Sequence, residues 1–166
     1  MTPTLLLRLK RAGIVYPYWT WRQAKVARLG LPLACALLMQ ESAGGHNEFG
    51  HDPTIAAGWG TVTKAKYLAY RHLRDETGEC QGVGPCQLTA KGYQDEADRL
   101  GGCWIPRHNM AVGFHALAGL VRAQGLDVGV ERYNGSGPAA VAYSARVRAL
   151  AAHFKAVGCG SVVGVY

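Results

Sequence analysis

The sequence has few charged residues and no apolar run long enough to cross a membrane. Asp, Glu, Lys and Arg make up 17% of the 166 residues, and hydrophobic residues make up 49%. This balance is typical of a folded chain with one core. No apolar stretch reaches the roughly 18–20 residues that a bilayer requires. Only three consecutive leucines precede Arg8, too few for the apolar region of a signal peptide. We expect one domain over residues 1–166, not inserted in a membrane.

Strong metal-binding motifs are also missing. There is no CxxC pair and no HExxH motif, so metal catalysis has no clear signature. Two weak groups of candidate ligands remain: His46, His51 and Asp52; and Cys80, Cys86, Cys103 and His108. The five cysteines are an odd number, so at least one thiol is unpaired and the redox compartment stays open. We predict no metal and no cofactor.

The excess of positive charge indicates an anionic partner. The net charge is +7 and the pI is about 9.3, which suits nucleic acid, a membrane surface or an acidic cell-wall polymer. The Lys and Arg residues are scattered along the chain without a compact block. A dedicated nucleic-acid module more often shows a concentrated stripe, so we expect no nucleic-acid partner.

Helical patterns dominate the chain. Apolar spacing, prolines near helix starts and glycines after helix ends predict helices in seven segments. These are residues 4–12, 16–30, 31–45, 63–76, 90–102, 109–125 and the later part of 133–158. Strand signals are weak and limited to residues 78–89. The predicted fold class is mainly α, with at most a small β element.

Glu41 occupies an unusual place at the end of the segment "LPLACALLMQES". This segment is apolar on nearly all sides, which predicts a central, buried helix. Ser42 and the following glycines form a polar, small-residue stretch. A carboxyl group against apolar walls has a pKa above its usual value of about 4.3, so Glu41 can act as a general acid. The alternative is an ordinary solvent-facing Glu.

The order of several short blocks resembles a known superfamily. Glu41-Ser42, "GVGPCQLT" (residues 82–89), Asn109, "YNGSG" (residues 133–137) and "Y..RV" at residues 143–147 follow one another as in soluble lytic transglycosylases and goose-type lysozymes. The stretches around them resemble the lysozyme-like domain of endolysins from phages of actinobacteria. The resemblance covers residues 30–155 and implies a lysozyme-like fold. This chain differs in carrying Pro85 and Cys86 where the family more often has an apolar pair.

The resemblance implies an activity and a set of site residues. Glu41 is expected to be the general acid that cleaves peptidoglycan between N-acetylmuramic acid and N-acetylglucosamine. Ser42, Gln87, Tyr133 and Asn134 are expected to bind substrate in the cleft, with the Tyr133 hydroxyl positioning Glu41 or the sugar. The expected protein is a monomeric endolysin domain, or one module of a larger endolysin. It would be made in the host cytoplasm and reach the wall after holin-type release.

A second carboxylate decides between two reactions. An inverting hydrolase needs a base about 6.5–9.5 Å from the acid, whereas a transglycosylase uses the 6-hydroxyl of the muramic acid. Asp52 is the candidate base, with the cap of a turn before Pro53 as its structural alternative. Glu48 is predicted to face solvent.

Two other classes of function remain open. A Cys–His amidase or peptidase acting on the stem peptides would use a cysteine, but Cys35 lies in apolar sequence and Cys103 has no recognisable motif. A wall-binding module without catalysis would use exposed aromatic residues. Trp59 is the best candidate for stacking on a sugar, while at least one of Trp19 and Trp21 is expected in the core.

Overall fold

The computed structural model describes residues 1–49 and 60–160. Within these residues the chain forms eight α-helices. They are α1 (Pro3–Arg11), α2 (Pro17–Ala27), α3 (Leu31–Ser42), α4 (Lys64–Thr77), α5 (Lys91–Arg99), α6 (Pro106–Gln124), α7 (Leu126–Asn134) and α8 (Pro138–Phe154). The β structure in the described residues is one isolated antiparallel bridge between Val83 and Leu88. The prediction of a mainly α fold is confirmed.

Helix α3 lies at the centre of the helical packing. Seven of its first eight residues are buried, and it packs against α2 and α8. Gly44 shows why the helix ends near Ser42. Its φ is +76°, and a Cβ there would lie 2.2 Å from the carbonyl oxygen of Gly13. The chain therefore turns closely against the α1–α2 connection, where the Val15 amide donates to the Gly44 carbonyl at 3.0 Å.

Helices α6 and α7 form a second layer, and α7 is absent from the sequence prediction. Helix α6 packs against α2, α5 and α7. Gly129 weakens the helical signal of residues 126–134 because glycine is a poor helix former. The structure requires a small residue there, since a Cβ would lie 2.6 Å from the Val121 backbone. Tyr133 and Asn134, predicted to lie in a tight loop, belong to the last turn of α7.

A buried polar network joins α4, α5 and the segment that follows α4. Arg74 is only 1% exposed, and its guanidinium donates to Gln94 at 2.8 Å and to Asp95 at 2.9 Å. The Gln94 amide in turn donates to the carbonyls of Gln81 and Leu88. Buried polar groups are costly unless they are paired, so these bonds fix the shape of residues 81–88.

The described helices have no membrane-spanning candidate, because none of them is both long and apolar enough to cross a bilayer.

The buried guanidinium gives a prediction about stability. Arg74→Met keeps much of the volume but removes the donors to Gln94 and Asp95, and we expect a loss of about 2–3 kcal/mol in the free energy of unfolding. Arg71→Met is the matched control. It removes a more exposed ion pair with Asp98, which is expected to contribute at most about 1 kcal/mol. Urea denaturation measures both; equal losses in the two variants would contradict the role of the network.

Candidate functional site

A cleft of about 480 Å³ opens at the C-terminal end of α3. Its walls come from that end of α3, from the segment 80–90, from α5 and from the end of α7. The lining residues are Glu41, Cys80, Gln87, Leu88, Thr89, Ala90, Tyr93, Tyr133 and Asn134. Among the described residues, Glu41 is the carboxylate in this lining. The structure thus brings together four of the sequence-predicted residues: Glu41, Gln87, Tyr133 and Asn134.

The Glu41 carboxyl is largely enclosed and favours its protonated form. Burial raises its pKa from 4.5 to about 7, while a hydrogen bond from the Tyr143 hydroxyl acts in the opposite direction. Its position in the last turn of α3 adds to the effect of burial, because the negative end of the helix dipole disfavours a carboxylate. A carboxyl group with a pKa near 7 can give up a proton and take it back at neutral pH.

Tyr143 is the residue of the site whose role the sequence did not reveal. It belongs to the "Y..RV" block, but nothing in the sequence connects it to Glu41, 102 residues away. Helix α8 packs along α3 and brings its hydroxyl to the Glu41 carboxyl. Tyr143 is buried, and burial raises the pKa of its phenol, so it stays a hydrogen-bond donor. A buried tyrosine hydroxyl usually has a hydrogen-bond partner. Once Tyr143 is known to be buried, a polar partner is expected, but the sequence alone does not show that it is Glu41.

Tyr133 has a different partner from the one expected. Its hydroxyl donates to the carbonyl of Cys86 at 2.9 Å, so it braces the cleft wall, while Tyr143 is the donor to Glu41. Tyr133 still lines the cleft beside Asn134. The structure therefore pairs the Glu41 carboxyl with the hydroxyl of Tyr143 and not with that of Tyr133.

The segment containing Gln87 is held by an asparagine from α6. Asn109 is fully buried; its side-chain oxygen accepts from the Cys86 amide at 2.8 Å, and its nitrogen donates to Val83 at 2.7 Å. Gln87 has a φ of +46°, which is unfavourable for a residue with a side chain. Its side-chain nitrogen, Nε2, donates to the carbonyls of Glu48 and Gly84 at 2.9 and 2.8 Å. These two bonds hold Gln87 in that backbone conformation.

Ser42 lies behind the cleft and not in its wall. It is 1% exposed, and its hydroxyl lies 2.7 Å from the Pro85 carbonyl oxygen and 3.1 Å from that of Leu38. These contacts tie the end of α3 to the segment that carries Gln87. In this arrangement Ser42 supports the site, and the structure does not bring it to the position of a substrate ligand.

The prediction that Glu48 faces solvent is wrong. Glu48 is 1% exposed, because the α1–α2 connection covers it. Its carboxyl accepts from the Tyr16 hydroxyl at 2.7 Å and from the Val62 amide at 2.8 Å. Burial raises its pKa, against the effect of these two bonds. Asp52, the candidate base, lies outside the described residues, as do His51 and Trp59.

The sequence did not settle the roles of the cysteines and tryptophans, and the structure places most of those that it describes in buried or half-buried positions. All five cysteines lie in the described residues and are free thiols. Burial raises the pKa of the Cys35, Cys86 and Cys103 thiols, which disfavours the reactive thiolate. Trp19 and Trp21 are both half-buried and pack against the core. No group of three or more potential metal ligands occurs within residues 1–49 and 60–160.

The geometry supplies an acid with a donor beside it, in a groove with amide, hydroxyl and phenol groups. Such a groove can orient a polar ligand by hydrogen bonds while a proton is transferred. Comparison with protein-family models, curated proteins and solved structures gave no match.

Removing the Tyr143 hydroxyl should raise the pKa of Glu41 further. The hydrogen bond stabilises the charged carboxylate, so in Tyr143→Phe we expect the Glu41 pKa to move above its value of about 7. Tyr133→Phe is the matched control, because its hydroxyl bonds to Cys86. Carboxyl-carbon NMR titration measures the shift. An unchanged or lower Glu41 pKa in Tyr143→Phe would contradict the contact.

The pKa of Glu41 also predicts how stability depends on pH. Because the folded-state pKa of about 7 lies above the ordinary value of 4.5, the folded protein binds this proton more tightly than the unfolded chain. The stability from this group is complete below about pH 4.5 and is lost as the pH rises through 7. Relative to wild type, Glu41→Gln should therefore gain about 3 kcal/mol in the free energy of unfolding as the pH rises from 4.5 to above 7.

Denaturation at a series of pH values tests this dependence. Glu96→Gln is the matched control, since it removes the same charge from an exposed position on α5. The difference in the free energy of unfolding between Glu96→Gln and wild type is expected to change less with pH than the difference for Glu41→Gln. If the free energies of unfolding of wild type and Glu41→Gln changed in parallel from pH 4.5 to pH 8, the raised Glu41 pKa would be contradicted.

Proposed function

We propose that this chain is a lysozyme-like glycosidase that cleaves the glycan strands of peptidoglycan. The observation that carries the proposal is the Glu41 carboxyl, whose pKa is raised to about 7 at the inner end of an open cleft. Cleavage of a glycosidic bond requires a carboxylic acid that is still protonated near neutral pH. The resemblance of the sequence blocks to lytic transglycosylases and goose-type lysozymes supports the same reaction.

The cleft walls suit a carbohydrate. Thr89 offers a hydroxyl and Asn134 an amide group, and Gln87 offers its amide oxygen, because its side-chain nitrogen already donates to Glu48 and Gly84. Such groups can hydrogen-bond to sugar hydroxyls. Tyr93 is 41% exposed, and its ring supplies an apolar surface for the face of a sugar. The proposed bond is the β-1,4 linkage between N-acetylmuramic acid and N-acetylglucosamine, as the resemblance implies.

The proposed reaction begins with proton transfer from Glu41. The proton goes to the glycosidic oxygen of the leaving N-acetylglucosamine, and the bond from that oxygen to C1 of the muramic acid breaks. The resulting Glu41 carboxylate is stabilised by the hydrogen bond from Tyr143, which also orients the carboxyl group. Tyr143 thus acts as a positioning residue that serves both protonation states.

The second half of the reaction has two forms. In hydrolysis, water attacks C1 and a base accepts its proton. In transglycosylation, the 6-hydroxyl of the muramic acid attacks C1 and gives its proton to the Glu41 carboxylate, so that a 1,6-anhydro-sugar forms and Glu41 is protonated again. Glu48 is engaged by Tyr16 and Val62 away from the cleft lining, so it does not suit the role of base. Asp52 stays the candidate base for hydrolysis.

The biological setting follows from the same resemblance. An endolysin of this kind acts on the wall of the host after release from the cytoplasm, and the net charge of +7 favours an anionic wall through long-range attraction. A Cys–His peptidase draws no support from the buried thiols of Cys86 and Cys103. A module that only binds the wall would not need a carboxyl group with a raised pKa.

Glu41→Gln separates these functions. The amide cannot donate the proton, so release of glycan fragments from purified peptidoglycan should fall by about 10²–10⁴-fold, while binding to the wall is retained. Glu96→Gln, on the exposed side of α5, is the matched control and should keep its activity. Reducing-sugar release and wall sedimentation measure the two properties. A Glu41→Gln variant with near-normal activity would remove Glu41 from the reaction.

A further inference from the structure

The charges are divided unevenly along the chain. All eleven Asp and Glu residues lie between residues 41 and 131. Residues 1–40 contain no carboxylate side chain, and they carry six of the cations: Arg8, Lys10, Arg11, Arg22, Lys25 and Arg28. Helices α1 and α2, formed by this segment, therefore present positive charge that no neighbour in sequence offsets.

Helix α2 concentrates these cations on its solvent side. Tyr18, Arg22 and Lys25 follow one another at i, i+4 and i+7, so they share one helix face, and all three are exposed. Arg28 is also exposed and follows Trp21 by seven residues, at the edge of that face. The opposite side of α2, with Thr20 and other buried residues, packs against α6.

Aromatic rings of α2 lie beside two cations: Lys25 on this face, and Arg107 of α6 on the flank of α2 that carries Trp19, about 100° round the helix from Tyr18. The Lys25 ammonium lies 5.7 Å from the centre of the Trp21 ring, and Arg107 of α6 lies 5.6 Å from that of Trp19. Such cation–π contacts restrict long side chains without neutralising their charge. The rings also pack against the core, so they support the cations from below.

These cations have no carboxylate partner in the described residues, a property they share with other exposed cations such as Lys64 and Arg99. Arg22, Lys25 and Arg28 differ from those in belonging to a segment, residues 1–40, that contains no Asp or Glu. Arg71, Arg74, Lys91 and Arg148 each form salt bridges with Asp residues. No such pair involves Arg22, Lys25, Arg28 or Arg107 within residues 1–49 and 60–160. We call Arg22, Lys25 and Arg28 the α2 basic face; their charges are available to an external anion.

We propose that the α2 basic face binds a polyanionic polysaccharide of the cell wall, separately from the cleft that holds Glu41. The choice of a wall polymer rests on the proposed function, whereas the charge arrangement stands without it. Guanidinium groups pair well with carboxylate and phosphate oxygens, and the lack of acidic residues in α1 and α2 leaves the attraction unopposed. Binding here would keep the enzyme on the wall between cleavage events.

Two other polyanions fit this face less well. An anionic lipid bilayer requires several large apolar side chains that enter the interface. The Trp19 and Trp21 rings are held between cations and the core, and the exposed aliphatic side chain on α2 is the small Val26. A single-stranded nucleic acid is usually bound by stacking of its bases on free aromatic rings. The rings of Trp19 and Trp21 are not free for stacking, and the exposed ring of Tyr18 already packs edge-on against Trp19, with 5.0 Å between the ring centres.

A charge-matched pair of triple variants tests the proposal. Arg22→Gln/Lys25→Gln/Arg28→Gln removes three cations from the α2 basic face. Lys64→Gln/Lys66→Gln/Arg99→Gln removes three exposed cations from α4 and the end of α5. Each is made in the Glu41→Gln background, so that binding is measured without cleavage. Glu41→Gln raises the formal net charge from +7 to +8, because it removes one carboxylate, and both triple variants lower it from +8 to +5, because each removes three cations.

The measured quantities are dissociation constants for purified walls and for polygalacturonate, with neutral dextran as the uncharged probe. We expect the α2 variant to bind walls and polygalacturonate about tenfold more weakly, with a small change in the control variant and no binding to dextran. Equal weakening in both variants would overturn the proposal, because net charge alone would explain it. Tighter binding to phosphatidylglycerol vesicles or single-stranded DNA than to polygalacturonate would overturn it in favour of those partners.

Failure of this proposal and failure of the proposed function give different results. Wild-type protein that binds walls through α2 but releases no glycan fragments would contradict the glycosidase and leave the α2 basic face in place. Wild-type protein that releases fragments, with wall binding unchanged in the α2 variant, would overturn the α2 basic face and leave the glycosidase in place.

Discussion

A carboxyl group at the end of a buried helix is the constraint from which the rest of the site follows. Helix α3 is enclosed by α2 and α8, and Glu41 lies in its last turn, where the apolar packing gives way to a cleft. Taking a carboxylate out of water costs free energy, so burial raises the pKa of the Glu41 carboxyl to about 7. Tyr143 moderates that cost and fixes the direction of the carboxyl. The position is unfavourable for a charge and suitable for an acid.

The cleft wall opposite Glu41 depends on interactions that lie out of the cleft. Asn109 and Ser42 fix the backbone around Pro85 and Cys86. The Gln87 side chain donates a hydrogen bond to the carbonyl of Glu48, and the Glu48 carboxyl accepts one from the Tyr16 hydroxyl. The α1–α2 connection, the end of α3 and the segment 83–88 therefore form one bonded unit. This rigidity is what a site needs in order to hold a sugar in one orientation.

Local patterns in the sequence predicted some of this arrangement and missed other parts for physical reasons. The all-round apolar character of α3 predicted a central helix with Glu41 at its end, because burial on every side leaves a direct trace in composition. Helix α7 was missed because Gly129, needed for close packing on α6, weakens the helical signal. Glu48 was assigned to solvent because its partners are distant in the chain: Tyr16 lies 32 residues before it and Val62 lies 14 residues after it. Tyr143 meets Glu41 only through the packing of α8 on α3, which no local pattern contains.

The identity of the bond that is cut tests the central claim most directly. Mass spectrometry of the fragments released by wild-type protein from purified peptidoglycan shows which bond was broken. The account predicts disaccharide-containing fragments that end in N-acetylmuramic acid, in the reducing form after hydrolysis or in the 1,6-anhydro form after transglycosylation. Fragments with intact glycan strands and cut stem peptides, or no fragments at all, would contradict a glycosidase built on Glu41.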